Sequence, residues 1–261
     1  MEETPFLNAC RIIALNLADQ IRDLVGTEQG GEEIRMGADH TPTELIDEVA
    51  ENCAISHLRE SGIGSRLISE EAGLVLLSGM KGTVYLDPID GTYNAVAGIP
   101  FYALSIAYGE DGIMQEGFVK DLASGEEFYA IRGGGAYLDE EQITVSSVSL
   151  LEESALSLYG KKFDPDRAMQ LGQKIRRWRL LGASALELCY VGCGRIDGFV
   201  DLRGTLRIID AAAGMLICSE AGGFVSSLDG SPVHFPDDVT VGRCVVATNA
   251  GIHRKVIEYL R

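Results

Sequence analysis

The sequence predicts a mixed fold, with an α+β half (1–145) followed by an α/β half (146–261). Three observations carry this reading. Helical signals, an apolar period from Phe6 to Leu24 and a capping-box start at Thr41, occupy the chain as far as about Ser61. Short strand-like runs separated by Gly- and Asp-rich turns follow as far as Leu138. Beyond about residue 145, strand-like and helical segments alternate, as in an α/β arrangement.

Thr4-Pro5 reads as an N-cap followed by proline at the first helical position. Phe6, Cys10, Ile13, Leu17, Ile21 and Leu24 then mark one face of a helix ending near Gly26. Glu28 to Gly37 reads as an acidic, exposed loop. Thr41-Pro42-Thr43-Glu44 has the form of a capping box with proline at its first helical position, predicting a second helix to Ser61-Gly62. Ser65 to Ser69 and Thr83 to Leu86 are strand-like and end on acids, Glu70-Glu71 and Asp87. Phe101–Gly109, Ile113–Lys120, Glu127–Ile131 and Ala136–Leu138 read as antiparallel strands. Arg132-Gly133-Gly134-Gly135 lacks a following helix and a P-loop lysine, so it reads as a hairpin turn. In the second half, strands are expected at Ser154–Leu158, Trp178–Leu181, Gly198–Leu202 and Cys244–Ala247. Helices are expected at Asp166–Ile175, Ser184–Cys193, Ala211–Ala221 and Gly251–Leu260.

Lys and Arg total 22 against 39 Asp and Glu, a formal net charge of −17. Such an excess disfavours nucleic acid or an anionic membrane as partner. An anionic substrate would need local cations, and bound divalent metals are the simplest source. The six cysteines are scattered, with no Cys-x-x-Cys or Cys/His spacing, and read as reduced thiols of a cytoplasmic protein. The N-terminus lacks an apolar signal-peptide core, and no apolar run is long enough to span a bilayer.

The chemistry concentrates in Leu86-Asp87-Pro88-Ile89-Asp90-Gly91-Thr92. A strand ends in one aspartate, proline fixes the turn, and a second aspartate follows three residues on. Carboxylates this close repel unless a cation lies between them. Hard oxygen ligands suit magnesium, which leaves room for phosphate oxygens and water. Gly91 and Thr92 open a helical turn whose free N–H groups suit an anion. Acidic turns are common, but five fixed residue types in this order arise by chance in only about one chain in ten thousand, at roughly 5–7% usage each.

Here the chain resembles the inositol monophosphatase / fructose-1,6-bisphosphatase superfamily of metal-dependent, lithium-sensitive phosphatases. Besides the Asp-Pro-Ile-Asp-Gly-Thr run, the resemblance rests on Ile68-Ser69-Glu70-Glu71, Ile209-Asp210-Ala211-Ala212-Ala213-Gly214, Gly182-Ala183-Ser184-Ala185, and Gly37-Ala38-Asp39 with Thr41 to Asp47. The short chain and Arg195-Ile196-Asp197-Gly198-Phe199 are most similar to archaeal members, which accept both inositol phosphates and fructose 1,6-bisphosphate.

The resemblance implies a layered sandwich of alternating α-β-α-β-α layers (a sugar-phosphatase fold), commonly a homodimer, acting on a small sugar or polyol phosphate. It implies two or three Mg2+ ions, with Mn2+ as a substitute. One ion would be held by Glu70, Asp87 and the Ile89 carbonyl, the second by Asp87, Asp90 and Asp210. Glu71 would stand behind them or in solvent, and Asp210 would also serve as a helix N-cap. Thr92, hydrogen-bonded to Asp39, would orient the attacking water, and Gly91 and Thr92 would bind phosphate. Gly182, Ala183 and Ser184 would meet substrate hydroxyls through backbone N–H groups, and Asp201 would do so through its carboxylate. Arg177 and Arg179, on one face of a strand, would hold a second phosphate; Arg203 and Arg207 are further candidates. Two alternatives stay open: a phosphatase for 3′-phosphoadenosine 5′-phosphate or NADP, and a non-catalytic homologue keeping the fold.

Overall fold

The computed structural model describes residues 3–160 and 165–260. Helix α1 (Pro5–Ile21) begins as the sequence indicates: Thr4 accepts the Leu7 amide at 3.1 Å, and Pro5 sits in the first turn. Regular helix stops at Ile21 rather than near Gly26. The expected loop contains a strand, β1 (Glu33–Met36), paired antiparallel with β2 (Pro42–Glu44). The Thr41 to Glu44 capping box is therefore not formed. The Thr41 amide and hydroxyl both bond Asp39, and Pro42 lies opposite Met36 in an edge ladder, where a missing N–H is tolerated. Helix α2 starts only at Leu45 and runs to Ser61, ending at Gly62 in the left-handed conformation.

The larger sheet contains β3 (Arg66–Ser69), β4 (Gly73–Leu76), β5 (Thr83–Asp90), β6 (Ala103–Glu110), β7 (Ile113–Asp121), β8 (Glu127–Ile131), β9 (Gly135–Leu138) and β10 (Glu141–Gln142). Their order is β10-β9-β8-β7-β6-β5-β3-β4, with only β3 and β5 parallel among neighbours. A short helix, α3 (Thr92–Ala97), leaves the end of β5. The second sheet has the order β12-β11-β13-β15-β14, built from β11 (Ala155–Tyr159), β12 (Arg177–Arg179), β13 (Gly198–Leu206), β14 (Phe224–Ser226) and β15 (Arg243–Thr248). Strands β4, β10 and β14 are additions to the set expected from sequence. The remaining helices are α4 (Pro165–Gly172), α5 (Ser184–Gly192), α6 (Ile208–Glu220) and α7 (His253–Leu260).

Alternation along the strands sorts the core into layers. From β5, Val84 and Leu86 pack with α1 and α2, whereas Tyr85 faces α5 and α6. From β13, Phe199 joins the inner cluster against α5 and α6, and Val200 and Leu202 face α4 and α7. The layers run α1/α2, large sheet, α5/α6, small sheet, α4/α7, matching the α-β-α-β-α arrangement. The two sheets divide near residue 145, and α5 and α6 serve both. All six cysteines are free thiols. Among the described residues, no helix is long and apolar enough to cross a membrane.

The central helix pair is close-packed. A Cβ at Gly214 of α6 would lie 2.7 Å from Leu188 Cβ and 2.8 Å from the Ala185 carbonyl oxygen of α5. Gly214→Val should lower stability by about 1–3 kcal/mol, the usual cost of overpacking. Urea denaturation should show an earlier midpoint with an unchanged slope; an unaltered midpoint would mean the two helices can part freely.

Candidate active site

The site forms where the two parallel strands end. Ser69 of β3 lies beside Leu86 of β5, so the next residues, Glu70 and Asp87, emerge side by side. The turn carrying Glu70 is held from α2, whose buried Glu51 accepts the Ser69 hydroxyl and the amides of Glu71 at 3.1 Å and Ala72 at 3.0 Å.

Two aspartates three apart in a regular strand would point to opposite faces. A bulge prevents this. Asp87 pairs with Ser105 of β6 and Asp90 with Ala103, so three steps along β5 match two along β6. The extra residue falls at Pro88-Ile89, where proline has no amide to give the ladder. Both aspartates thereby reach the same face. Gly91 follows with φ +94°, a left-handed conformation that lets α3 begin at once.

Asp90 reaches across to the other half of the chain. Its Oδ1 accepts the Ser184 amide at 2.9 Å and its Oδ2 the Ala185 amide at 2.6 Å. These are the first residues of α5, whose N-terminal amides lack partners within the helix. Asp210 enters from α6. It is the third residue of that helix rather than its N-cap, because the helix begins earlier, at Ile208. Its carboxylate accepts the Arg207 amide at 2.8 Å.

Arg207 is the hub of the cluster. Its guanidinium donates to Asp210 Oδ1 at 2.8 Å, to Glu70 Oε1 at 2.6 Å and to Asp39 Oδ2. Burial opposes the charge on Arg207, but Asp210, Glu70 and Asp87 outweigh it and hold the group firmly protonated. The carboxylates respond in the opposite sense. Burial first, then mutual repulsion, raises the proton affinity of Asp87 and Asp90 well above the ordinary carboxylate range. Glu70 is raised by the same burial, with Arg207 partly offsetting it.

Thr92 is not paired with Asp39. Its hydroxyl lies 2.9 Å from Asp47 Oδ1, on α2, and 3.0 Å from the Ile89 carbonyl. Asp39 is engaged instead by Thr41 and Arg207. Burial and the charge of Glu70 push Asp47 up to about 8, with the Thr92 hydrogen bond opposing them.

Asp39, Glu70, Asp87, Asp90 and Asp210 line one cavity of 510 Å³, together with Ile89, Gly91, Thr92, Gly182 and Ser184. Arg203 and Arg207 line it too. Five carboxylates facing two guanidiniums form a hard-oxygen donor set with an excess of negative charge, which fits a divalent cation. Among the described residues, no three His, Cys, Asp or Glu side chains are already arranged as a metal cage.

The expected substrate residues fare less well. The Gly182 amide is taken by the Tyr159 hydroxyl at 2.9 Å and the Ser184 amide by Asp90, so neither is free for a sugar hydroxyl. Ala183 is wholly buried and outside the cavity wall. Asp201 is fully buried, ion-paired with Arg203 and outside the cavity wall. Arg177 and Arg179 lie exposed on the edge strand β12, donating to the carbonyls of Arg176 and Trp178, and line no part of this cavity. Glu71 is buried and bound by the Thr43 hydroxyl. Asp47, Glu51 and the hub role of Arg207 escaped sequence reasoning. Asp47 and Glu51 nevertheless left a signal: with Ile46, Ala50 and Ala54 they fall on the buried stripe of α2, where an acid is anomalous.

The model of the family described as "Inositol monophosphatase family" matches residues 3–261. The chain is 41% identical to a fructose-1,6-bisphosphatase/inositol-1-monophosphatase of Methanothermobacter thermautotrophicus, with 95% of each chain covered. It is 34% identical to a bifunctional NADP phosphatase/NAD kinase of Methanococcus maripaludis, covering 94% of this chain and 47% of that longer one. Among solved structures, the crystal structure of an inositol monophosphatase–fructose 1,6-bisphosphatase superposes with a TM-score of 0.88 at 27% identity, covering 97% of this chain and 98% of the other. Family match, near-complete relatives and shared fold agree, and the chain belongs to the inositol monophosphatase family.

Proposed function

We propose that this protein is a magnesium-dependent phosphomonoesterase hydrolysing inositol 1-phosphate and fructose 1,6-bisphosphate. The observation that carries the reading is the convergence of Glu70, Asp87, Asp90 and Asp210 in one cavity, beside the Thr92–Asp47 pair. Names borne by the archaeal relative and the superposed structure support the substrate choice.

Glu70, Asp87 and the Ile89 carbonyl would hold one ion; Asp87, Asp90 and Asp210 would hold the second. Bound there, divalent cations supply positive charge for the phosphoryl oxygens and acidify water. The chain's own groups do the rest. Thr92 Oγ1, fixed by Asp47, orients the attacking water and passes its proton towards Asp47 Oδ1. Burial and the charge of Glu70 raise the proton affinity of Asp47, so its carboxylate is free to accept a proton only towards pH 8 and above, or once bound cations offset Glu70. Asp90, locked onto the α5 amides, keeps its carboxylate in one orientation. A second phosphate on the substrate would meet Arg203, the guanidinium of the cavity wall that is not bound to the acidic cluster.

Phosphate release from inositol 1-phosphate and fructose 1,6-bisphosphate should require Mg2+; full turnover in its absence would sink this reading. Asp47→Asn should lower kcat about 10²–10⁴-fold, the range of a lost general base, whereas Asp39→Asn should stay within about tenfold. A larger loss in Asp39→Asn than in Asp47→Asn would overturn the assignment of Asp47 as proton acceptor. Arg207 and the cations compete for Glu70 and Asp210. Arg207→Gln should therefore enlarge the rise in melting temperature on adding Mg2+, and a smaller rise would show that Arg207 assists metal binding.

A further inference from the structure

With the Gly182 and Ser184 amides engaged and Asp201 outside the cavity wall, a sugar or polyol entering the site needs other partners for its hydroxyls. One stretch of the wall comes from the loop before β15, which supplies Val239, Thr240 and Gly242. This loop is clamped at both ends. At its start, two strands of the larger sheet hold the Asp237 carboxylate. Tyr85 of β5 donates its phenol O–H to Oδ1 at 2.6 Å, and Arg66 of β3 donates a guanidinium N–H to Oδ2. Arg66 is itself fixed, donating its Nε–H to Thr83 Oγ1 at 2.7 Å. At the other end Gly242 lies against β13, where a Cβ would come within 2.4 Å of Thr205 Cα and 2.5 Å of the Gly204 carbonyl oxygen. Between the clamps, Val239 is buried in the layer that contains Tyr85 and Ile68. Strands β3 and β5 also lead into Glu70 and Asp87, so the loop is tied to the same two strands as the acids.

Thr240 is exposed in this loop, and its hydroxyl is oriented. The Thr240 amide and O–H both donate to Asp238 Oδ1, at 2.8 Å and 2.7 Å. Those bonds, the hydroxyl's first, hold Asp238 below the usual carboxylate range, so the acid has no proton to return. A hydroxyl has one hydrogen to give and two lone pairs. With its hydrogen committed to Asp238, Thr240 Oγ1 meets a ligand only as an acceptor, the complement of a sugar or polyol O–H. Thr41 and Thr92 are bound to Asp39 and Asp47 within the catalytic group. Thr205 shares the wall, but no hydrogen bond among the described residues fixes its hydroxyl.

We propose that Thr240 recognises a hydroxyl of the sugar or polyol, and that Asp237, latched by Tyr85 and Arg66, is the residue that positions it. That substrate class rests on the phosphomonoesterase reading above. Thr240 meets the ligand directly. Asp237 acts through it, by keeping the loop fixed relative to β3 and β5, and so to Glu70 and Asp87.

Thr240→Val keeps the shape of the side chain and removes the acceptor. It should raise KM for inositol 1-phosphate with little change in kcat. Measured against phenyl phosphate, which has no hydroxyl, kcat/KM for inositol 1-phosphate should fall about tenfold, the worth of one neutral hydrogen bond. Thr240→Ser should restore the ratio. Tyr85→Phe, which removes one bond of the latch, should shift the ratio severalfold in the same direction, again through KM. An unchanged ratio in Thr240→Val, including an equal fall for both esters, would overturn the proposal. An unchanged ratio in Tyr85→Phe would remove the latch from it. If the wild-type protein hydrolyses neither ester, the phosphomonoesterase reading falls, and calorimetric titration with Mg2+ present decides instead. Binding of inositol 1-phosphate about tenfold weaker in Thr240→Val would then support the hydroxyl site, and equal binding would overturn it.

Discussion

Five carboxylates cannot be gathered at one end of two strands without compensation, and the fold around the site is organised by how that compensation is delivered. Part comes from a guanidinium, Arg207, which ties a loop acid, a strand-end acid and a helix acid into one group. Part comes from backbone amides: the start of α5 binds both oxygens of Asp90. What these leave uncompensated appears as a raised proton affinity of Asp87, Asp90 and Glu70, caused by burial and mutual repulsion. Each device draws on a different element, so the acidic cluster is also what joins β3, β5, α5 and α6. A cation entering the site would displace one kind of compensation with another rather than fill a neutral hollow.

The strands and helices that bury a regular apolar face were legible from sequence, because burial imposes a period. Helix α1 is of this type, whereas α5, buried on nearly every face, and the run from β6 to β9 are marked off by the glycine- and aspartate-containing turns between elements. Elements defined by pairing alone were not. Strand β1 is exposed throughout and exists because its backbone bonds β2, which no hydrophobic pattern records. The Thr41 to Glu44 segment shows the same limit from the other side. Its residue types suit a helix start, yet Asp39 takes the Thr41 amide and hydroxyl, and the chain stays extended.

Within the site, the metal-type residues of the Asp87 to Thr92 run could be found because acids, proline and glycine at fixed spacing leave a local signature. The partner of Thr92 could not. Asp39 and Asp47 both precede it by a long interval, and only the path of α2 across the sheet decides between them. The arginine candidates are sorted by chain path in the same way. Arg177 and Arg179 share one face of a strand, but β12 is the outer strand of its sheet and they line no part of the acidic cavity. Arg203 and Arg207 do line it.

Helices α5 and α6 are sandwiched between the sheets, and this bears on the order in which the chain can mature. During synthesis the eight strands of the larger sheet emerge first, with α1 and α2 ready to cover one face. The other face, carrying Tyr85, Val119, Phe128 and Ala130, finds its cover only when α5 and α6 have left the ribosome. For that interval a broad apolar surface stands open to water, and the cluster that will become the active site lacks both Asp210 and the amides that hold Asp90. Catalytic competence and protection from aggregation therefore arrive together, with the same two helices.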